Sequence, residues 1–148
     1  FFFVYHILGP SYVSLETALS HYGLIPERVY EIASMTTQAP RKFNTPLGTF
    51  TYTRLSLPYY AFGLRSEKLA DDQYAMVASP EKALFDKVIT TWGVLFRSRK
   101  AAKEFLLENM RMNEDVLRQL NTKEMTTWIN GSLKKESLSM IVNVIQEL

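Results

Sequence analysis

The stretch that decides the fold is YAMVASPEKALFDKVITTW, residues 74–92. Residues 74–78 are a short apolar run, which predicts a strand. The next three residues, SPE, form a helix start. Ser79 caps the first amides, the proline that follows suits the first helical position, and the glutamate after it complements the helix dipole. The pattern therefore changes from strand to helix at Ser79.

The helix that follows carries one apolar face. Leu84, Val88 and Trp92 recur at intervals of four residues, and Phe85 and Ile89 lie beside them. Residues at this spacing lie on the same side of a helix. We therefore expect Leu84 and Val88 to pack against a sheet.

The residues before this switch are rich in strand-forming types. Residues 1–78 hold all eight tyrosines and six of the nine phenylalanines. Residues 49–57 (TFTYTRLSL) alternate in polarity and predict the clearest strand, while residues 29–35 predict a second one. Between them, residues 44–48 (NTPLG) have the composition of a turn.

Helices dominate the remaining sequence, where lysine, glutamate, leucine and methionine prevail. One short helix is predicted earlier, over residues 15–22, with Ser14 as N-cap and Gly23 just past its end. Capping residues and apolar faces predict four more, namely residues 99–110, a short helix after Asn113, one from Asn121 to near Gly131, and one from about Lys134 to the end. This order predicts an α+β fold in which a small, mixed, largely antiparallel sheet in the N-terminal half packs against C-terminal helices.

Length and composition limit the class of protein. The 148 residues suggest a single domain over residues 1–148, and the net charge of +2 gives no overall signal of nucleic-acid binding. There is no cysteine, which removes thiol chemistry and fits a reducing, cytoplasmic location. No apolar run approaches the roughly 18–20 residues of a membrane span. The start at Phe1, within the strand-like run FFFVY, predicts that the chain is a fragment.

Catalytic and metal-binding patterns are sparse. The two histidines, His6 and His21, lie on different predicted elements, and His21 reads as a helix-terminal or surface residue. The adjacent Asp71 and Asp72 read as a solvated loop, since neighbouring strand residues point to opposite faces. The sequence has no nucleophile elbow, phosphate-binding glycine loop or dinucleotide fingerprint. We therefore predict no catalytic residues, no metal and no cofactor.

A local cluster of positive charge is the strongest functional signal. Arg97, Arg99, Lys100 and Lys103 lie within seven residues at the start of a predicted helix, offset there only by Glu104. Cations at a helix start oppose the dipole, so helix stability does not explain them. Contact with nucleic-acid phosphates would explain them. The alternative is a solvated connection between two helices.

A second, smaller basic pair precedes the clearest strand. Arg41 and Lys42 lie beside Pro40 and Phe43 in a segment, residues 38–43, that is predicted to be a loop. A basic pair next to an aromatic side chain can hold a nucleic-acid backbone or an acidic partner. The alternative is a role in keeping a turn well hydrated.

One further cation has a simpler explanation. Lys82 lies in the first turn of the helix that begins after Ser79, and Asp86 follows at the spacing of an ion pair on one helix face. That pair accounts for Lys82 without a functional role.

Three stretches together carry a resemblance to a known family. They are GPSYVSLETAL (residues 9–19), HYGLIPE (residues 21–27) and ASPEKALFD (residues 78–86). In order and spacing they resemble the AbiEi family of abortive-infection antitoxins, which belong to type IV toxin–antitoxin systems, and segments between residues 34 and 50 fit as well. The resemblance covers roughly residues 9–90.

The resemblance implies a function and partners. Such antitoxins carry an N-terminal winged-helix domain that binds promoter DNA. The following domain assists repression and counteracts a nucleotidyltransferase toxin without a stable complex. This sequence has no room for a winged helix before Phe1, so it corresponds to the second domain. The residues in the three stretches read as architectural, and the implied protein is a non-enzymatic regulator that contacts promoter DNA or another nucleic acid.

Two other classes of function stay open. One is a metal-dependent enzyme that cleaves phosphodiester bonds, although Glu81 and Lys82 are adjacent and open a helix, unlike the spaced acid and lysine of a nuclease strand. The other is a scaffold that binds a protein partner.

Overall fold

The structure is a computed structural model that describes residues 11–46, 48–56, 59, 62–70 and 73–148. A six-stranded mixed sheet in the N-terminal half and helices mostly in the C-terminal half confirm the predicted α+β class. The strands are β1 (Ser11–Val13), β2 (Glu31–Thr36), β3 (Arg41–Thr45), β4 (Gly48–Arg54), β5 (Leu64–Ala70) and β6 (Gln73–Ala78). The helices are α1 (Leu15–His21), α2 (Pro80–Thr90), α3 (Arg99–Glu104), α4 (Glu114–Arg118), α5 (Thr122–Ile129) and α6 (Lys135–Glu147).

The sheet has the strand order β3-β4-β2-β1-β6-β5. Pairs β2/β4 and β1/β6 are parallel, and the other three pairs are antiparallel. After β2, the chain forms β3 at the edge of the sheet. It then turns back through a hairpin and forms β4, which lies between β2 and β3. The turn predicted at residues 44–48 lies at the tip of this hairpin, where Thr45 pairs with Gly48.

The strand predicted at residues 49–57 is confirmed as β4, although β4 ends at Arg54. The alternation puts Phe50, Tyr52 and Arg54 on one face of this strand. Phe50 and Tyr52 are buried, whereas Arg54, at the end of the strand, is exposed. The strand predicted at residues 29–35 is β2, which begins two residues later. Strands β1, β3 and β5 were not predicted. The strand-like start at residues 1–5 falls outside the described residues.

Helix α2 confirms the start predicted at Ser79, whose hydroxyl oxygen accepts a hydrogen bond from the amide of Lys82 at 3.1 Å. Leu84 and Val88 are fully buried, as expected of the apolar face. The inclusion of Trp92 in that face was wrong, because the helix ends at Thr90 and Trp92 is 98 % exposed. The chain turns away there through Gly93, whose φ is +78°.

The C-terminal helices follow the predicted positions. Helix α3 continues through Phe105–Asn109 as a wider π-helical turn, so residues 99–109 form one helical segment, one residue shorter than predicted. Asn113 caps α4, and the Asn121 side chain accepts from the Glu124 amide at 3.0 Å to cap α5. Helix α6 buries four residues of its predicted apolar face, Leu138, Ile141, Val142 and Ile145. Leu148, the fifth, lies just past the helix end and is half-buried. These side chains join those of the sheet and α2 in one apolar core.

Helix α1 lies where it is predicted, but its cap differs. Ser14 occupies the N-cap position but makes no side-chain capping bond. Its hydroxyl donates to the Asp86 carboxylate at 2.7 Å. His21 is the last, exposed residue of α1, as predicted for a helix-terminal position.

Gly63 is placed where a side chain cannot fit. Its φ is +71°, and an added Cβ would lie 2.7 Å from the Cβ of Lys82 and 3.0 Å from the Trp128 ring. We expect Gly63→Ala to lower the free energy of unfolding by about 2–4 kcal/mol, from left-handed strain plus overpacking. Urea denaturation measures this loss.

Gly93 provides the matched control. Its φ is +78°, and an added Cβ would meet nothing within 4 Å. Gly93→Ala should therefore cost only the backbone strain, about 1 kcal/mol. Equal losses in the two variants would show that contact with Lys82 and Trp128 does not constrain Gly63.

Candidate nucleic-acid interface

The predicted basic cluster, Arg97, Arg99, Lys100 and Lys103, lies on the surface at the start of α3. All four side chains are exposed. Ser98 caps this helix, accepting from the amide of Ala101 at 3.1 Å, and so fixes where the helix begins. The cluster thus has a defined position on a folded element.

The charges of this cluster are only partly neutralised. Arg99 forms an ion pair with Glu147 of α6. Within the part of the chain that the structure describes, no acid lies within ion-pair distance of Arg97, Lys100 or Lys103. Arg97, just before the N-cap, Lys100 in the first turn and Lys103 in the last turn of α3 therefore face solvent without an ion-pair partner among the described residues. Such an arrangement attracts phosphate.

The second basic pair is placed differently from the prediction. Arg41 and Lys42 lie on edge strand β3, not in a loop, where they pair with Tyr52 and Thr51 of β4. The hairpin register with β4 extends the strand into this segment. Because adjacent strand residues point to opposite faces, the two side chains do not form one contact surface. Lysine and arginine on an edge strand also discourage pairing with another chain.

A groove adjoins the basic cluster. It has a volume of about 590 Å³ and is lined by Phe96, Arg97, Ile129, Asn130, Lys135, Glu136, Ser139, Met140 and Asn143. Its walls come from α6, from the end of α5 and from the loop before α3. Sequence reasoning missed this groove, because these residues are distant along the chain and no local pattern joins them.

A buried polar cluster, also missed as a unit, joins β1 to α2. The Tyr12 and Ser14 hydroxyls both donate to Oδ2 of Asp86 at 2.7 Å. Lys82 Nζ lies 3.0 Å from Oδ1 of the same carboxylate, and both charged side chains are 0 % exposed. The Lys82–Asp86 pair predicted from helix spacing is thus confirmed, in the interior.

The amine of Lys82 has further partners. It donates to the carbonyl of Tyr59 and lies 4.3 Å from the centre of the Phe62 ring. The pKa of the Asp86 carboxyl is raised, chiefly by burial. The charge of Lys82 and the hydrogen bonds from the two hydroxyls lower this pKa, but by less than burial raises it. These contacts connect β1 to α2 in the interior of the protein.

The stretches that carry the family resemblance meet at this joint. Tyr12 and Ser14 of residues 9–19 bond to Asp86 of residues 78–86. Tyr22, from residues 21–27, donates to the carbonyl of Ala78 at 2.8 Å. Burial, with Glu67 nearby, raises the pKa of Tyr22 to about 12, so it stays protonated as a donor. Residues from all three stretches therefore bond to one another and hold elements of the fold together.

Other kinds of site find little support in the described residues. Over residues 11–148, apart from the seven that are not described, no three histidine, aspartate or glutamate side chains are grouped to hold a metal ion. His6, Asp71 and Asp72 fall outside the described residues. No helix in the described part is long and apolar enough to cross a bilayer.

Comparisons of the chain with family models, with curated proteins and with solved structures found no match.

Proposed function

We propose that this chain is the non-enzymatic second domain of a cytoplasmic antitoxin of the AbiEi type. In this proposal it counteracts a nucleotidyltransferase toxin and assists repression at promoter DNA. The observation that carries the proposal is the exposed triad of Arg97, Lys100 and Lys103 at the start of α3, which no described acid neutralises. Such a surface suits phosphate contact.

Two further features support this proposal. Residues of the resemblance help to build the fold, since Tyr12, Ser14, Lys82 and Asp86 form a buried cluster that joins β1 to α2. The groups that we propose for contact with a partner are the exposed cations of α3. Phosphate contacts of this kind bind without reading sequence, which fits a domain that assists a separate DNA-reading domain.

Removing the triad should weaken DNA binding and protection together. We expect the wild-type chain to bind duplex DNA with log affinity falling against log salt at a slope of about −3, for three phosphates contacted. Arg97→Ala/Lys100→Ala/Lys103→Ala should bring that slope close to zero and remove protection in cells that co-express the adjacent nucleotidyltransferase toxin. Folding should be unaffected, because exposed charges contribute little to stability. Fluorescence anisotropy at several salt concentrations measures the slope.

A matched variant distinguishes the effect of removing this triad from the effect of lowering the net charge of the protein. Arg28, Arg54 and Lys123 are exposed cations on other elements, so their triple alanine variant makes the same change in net charge. It should retain the slope and the protection. An Arg41→Ala/Lys42→Ala variant tests whether the second basic pair, on β3, also contacts nucleic acid. If the triad variant still protects cells and keeps its salt slope, the proposed function is wrong.

A further inference from the structure

Trp92 is the most exposed large apolar side chain of the described residues, at 98 %. It lies in the connection between α2 and α3, five residues before Arg97 of the basic cluster. Leu95 of the same connection is exposed as well, and so is Leu133 in the connection between α5 and α6. Single exposed apolar residues are ordinary, but a fully exposed tryptophan a few residues before a cluster of cations along the chain has the composition of a binding surface.

The segment that carries Trp92 is fixed to the rest of the fold. Lys134 Nζ donates to the carbonyls of Val88 and Thr91, at 2.9 and 2.8 Å, at the end of α2. The amide of Phe96 donates to the Ser137 hydroxyl of α6 at 3.0 Å. Lys134 adopts a left-handed backbone, with φ of +54°, to reach these carbonyls. The tryptophan is therefore presented from a tethered loop.

The groove beside this loop has the size and chemistry for a base. Phe96, Ile129 and Met140 give it apolar walls, and amide and hydroxyl groups of Asn130, Ser139 and Asn143 can bond to a base edge. Its volume of about 590 Å³ lies within the range of small-ligand sites. Arg97 belongs both to the groove and to the basic cluster, so the two surfaces are continuous.

We propose that this surface binds single-stranded nucleic acid, with Trp92 stacking on one unpaired base and the groove receiving another. The basic cluster would hold the connecting phosphates, so this inference rests on the proposed function and specifies its ligand. Base stacking on an aromatic side chain needs a free base face, which duplex DNA does not offer. The amide and hydroxyl groups of the groove favour a base over a lipid chain or an apolar helix.

Tryptophan fluorescence tests the stacking directly. The sequence has two tryptophans, and Trp128 is half-buried and stacked on Phe62 at 5.2 Å between ring centres. The full chain is titrated with oligo(dT), oligo(rU) and a duplex of equal length. We expect both single strands to quench the wild-type emission, the duplex to leave it unchanged, and Trp92→Phe to lose the quenching while Trp128 still emits.

The affinities give a second readout. Trp92→Ala should lose roughly 5- to 150-fold in affinity for the single strands, as removal of one stacked base does. Its affinity for the duplex should change less than about twofold, because phosphate contacts remain. Tyr30→Ala is the matched control, since Tyr30 is 78 % exposed on a different connection, and it should bind both ligands normally.

The outcomes separate this inference from the proposed function. Salt-dependent duplex binding by the triad, with no quenching and no preference for single strands, overturns the inference and leaves the phosphate contact standing. Loss of all nucleic-acid binding overturns both. Quenching or a blue shift with phosphatidylserine vesicles, but not with oligonucleotides, would identify a membrane surface as the partner and overturn the inference.

Discussion

Asp86→Asn should lower the free energy of unfolding by about 3–5 kcal/mol, the cost of breaking a buried ion pair. The substitution keeps the size of the side chain and its acceptor for Tyr12 and Ser14. It removes the negative charge that lies 3.0 Å from the amine of Lys82, and that amine is fully buried. An ammonium ion without a counter-charge in the interior is the origin of the expected loss. Urea denaturation followed by circular dichroism measures it.

The double variant Lys82→Met/Asp86→Asn is the control. Methionine fills the volume of the lysine stem without a charge, so the double variant should recover much of the stability lost by Asp86→Asn. A double variant as unstable as the sum of its two single variants would show that the two charges do not act as a pair.

The pH dependence gives an independent check on the same joint. Burial raises the pKa of Asp86, and Lys82 is the strongest of the groups that lower it. In Lys82→Met the positive charge that lowers this pKa is absent, so burial raises the pKa of Asp86 further. The folded protein then binds the proton of Asp86 more tightly than the unfolded chain does. A carboxyl whose pKa is higher in the folded state stabilises the folded protein at low pH. This contribution is lost as the pH rises through the folded-state pKa.

The free energy of unfolding of Lys82→Met should therefore fall as the pH rises above about 4, whereas the double variant should lack this decline. Wild type should show a weaker change of the same sign, because its Asp86 pKa is raised less. A flat profile for Lys82→Met would contradict the buried position of the carboxyl.

Leu84→Ala should cost about 2–5 kcal/mol, as truncation of a buried leucine does. Leu84 is fully buried on α2, within the core that joins the sheet to the C-terminal helices. The loss combines the apolar area returned to water with the cavity that the surrounding side chains cannot close. Thermal or urea unfolding measures it.

Leu133→Ala is the matched control for this prediction. Leu133 is 51 % exposed in the connection between α5 and α6, so the same truncation there should change stability by less than about 0.5 kcal/mol. A loss below about 0.5 kcal/mol for Leu84→Ala would mean that its face of α2 does not pack against the core.

The features that the sequence determined depend on neighbouring residues. Ser79 and Asn121 each bond to an amide three residues away, so their helix starts are readable from a short window. The alternation around Phe50 and Tyr52 likewise indicates a strand with one buried face. The basic cluster at Arg97 is a local excess of charge, and its exposure follows from the cost of burying unpaired cations.

The tertiary structure decided what depends on distant partners. Strand β3 exists because β4 supplies its hydrogen bonds, which is why the segment with Arg41 and Lys42 read as a loop. The parallel pairing of β2 with β4 has no local signature, since the strand between them in sequence lies at the edge. Pairing partners are selected by packing over the whole sheet and not by the propensity of one segment.

The same division applies to the candidate site. The sequence alone placed Arg97, Lys100 and Lys103 together on a helix start, because they are neighbours along the chain. Only the fold showed that the Ser14 hydroxyl donates to Asp86, 72 residues away. Only the fold showed, too, that Trp92 lies beyond the end of α2 and is exposed to solvent. Periodicity assigns a residue to a helix face only while the helix continues, and where it stops is settled by the contacts that the ends of the chain segment make in three dimensions.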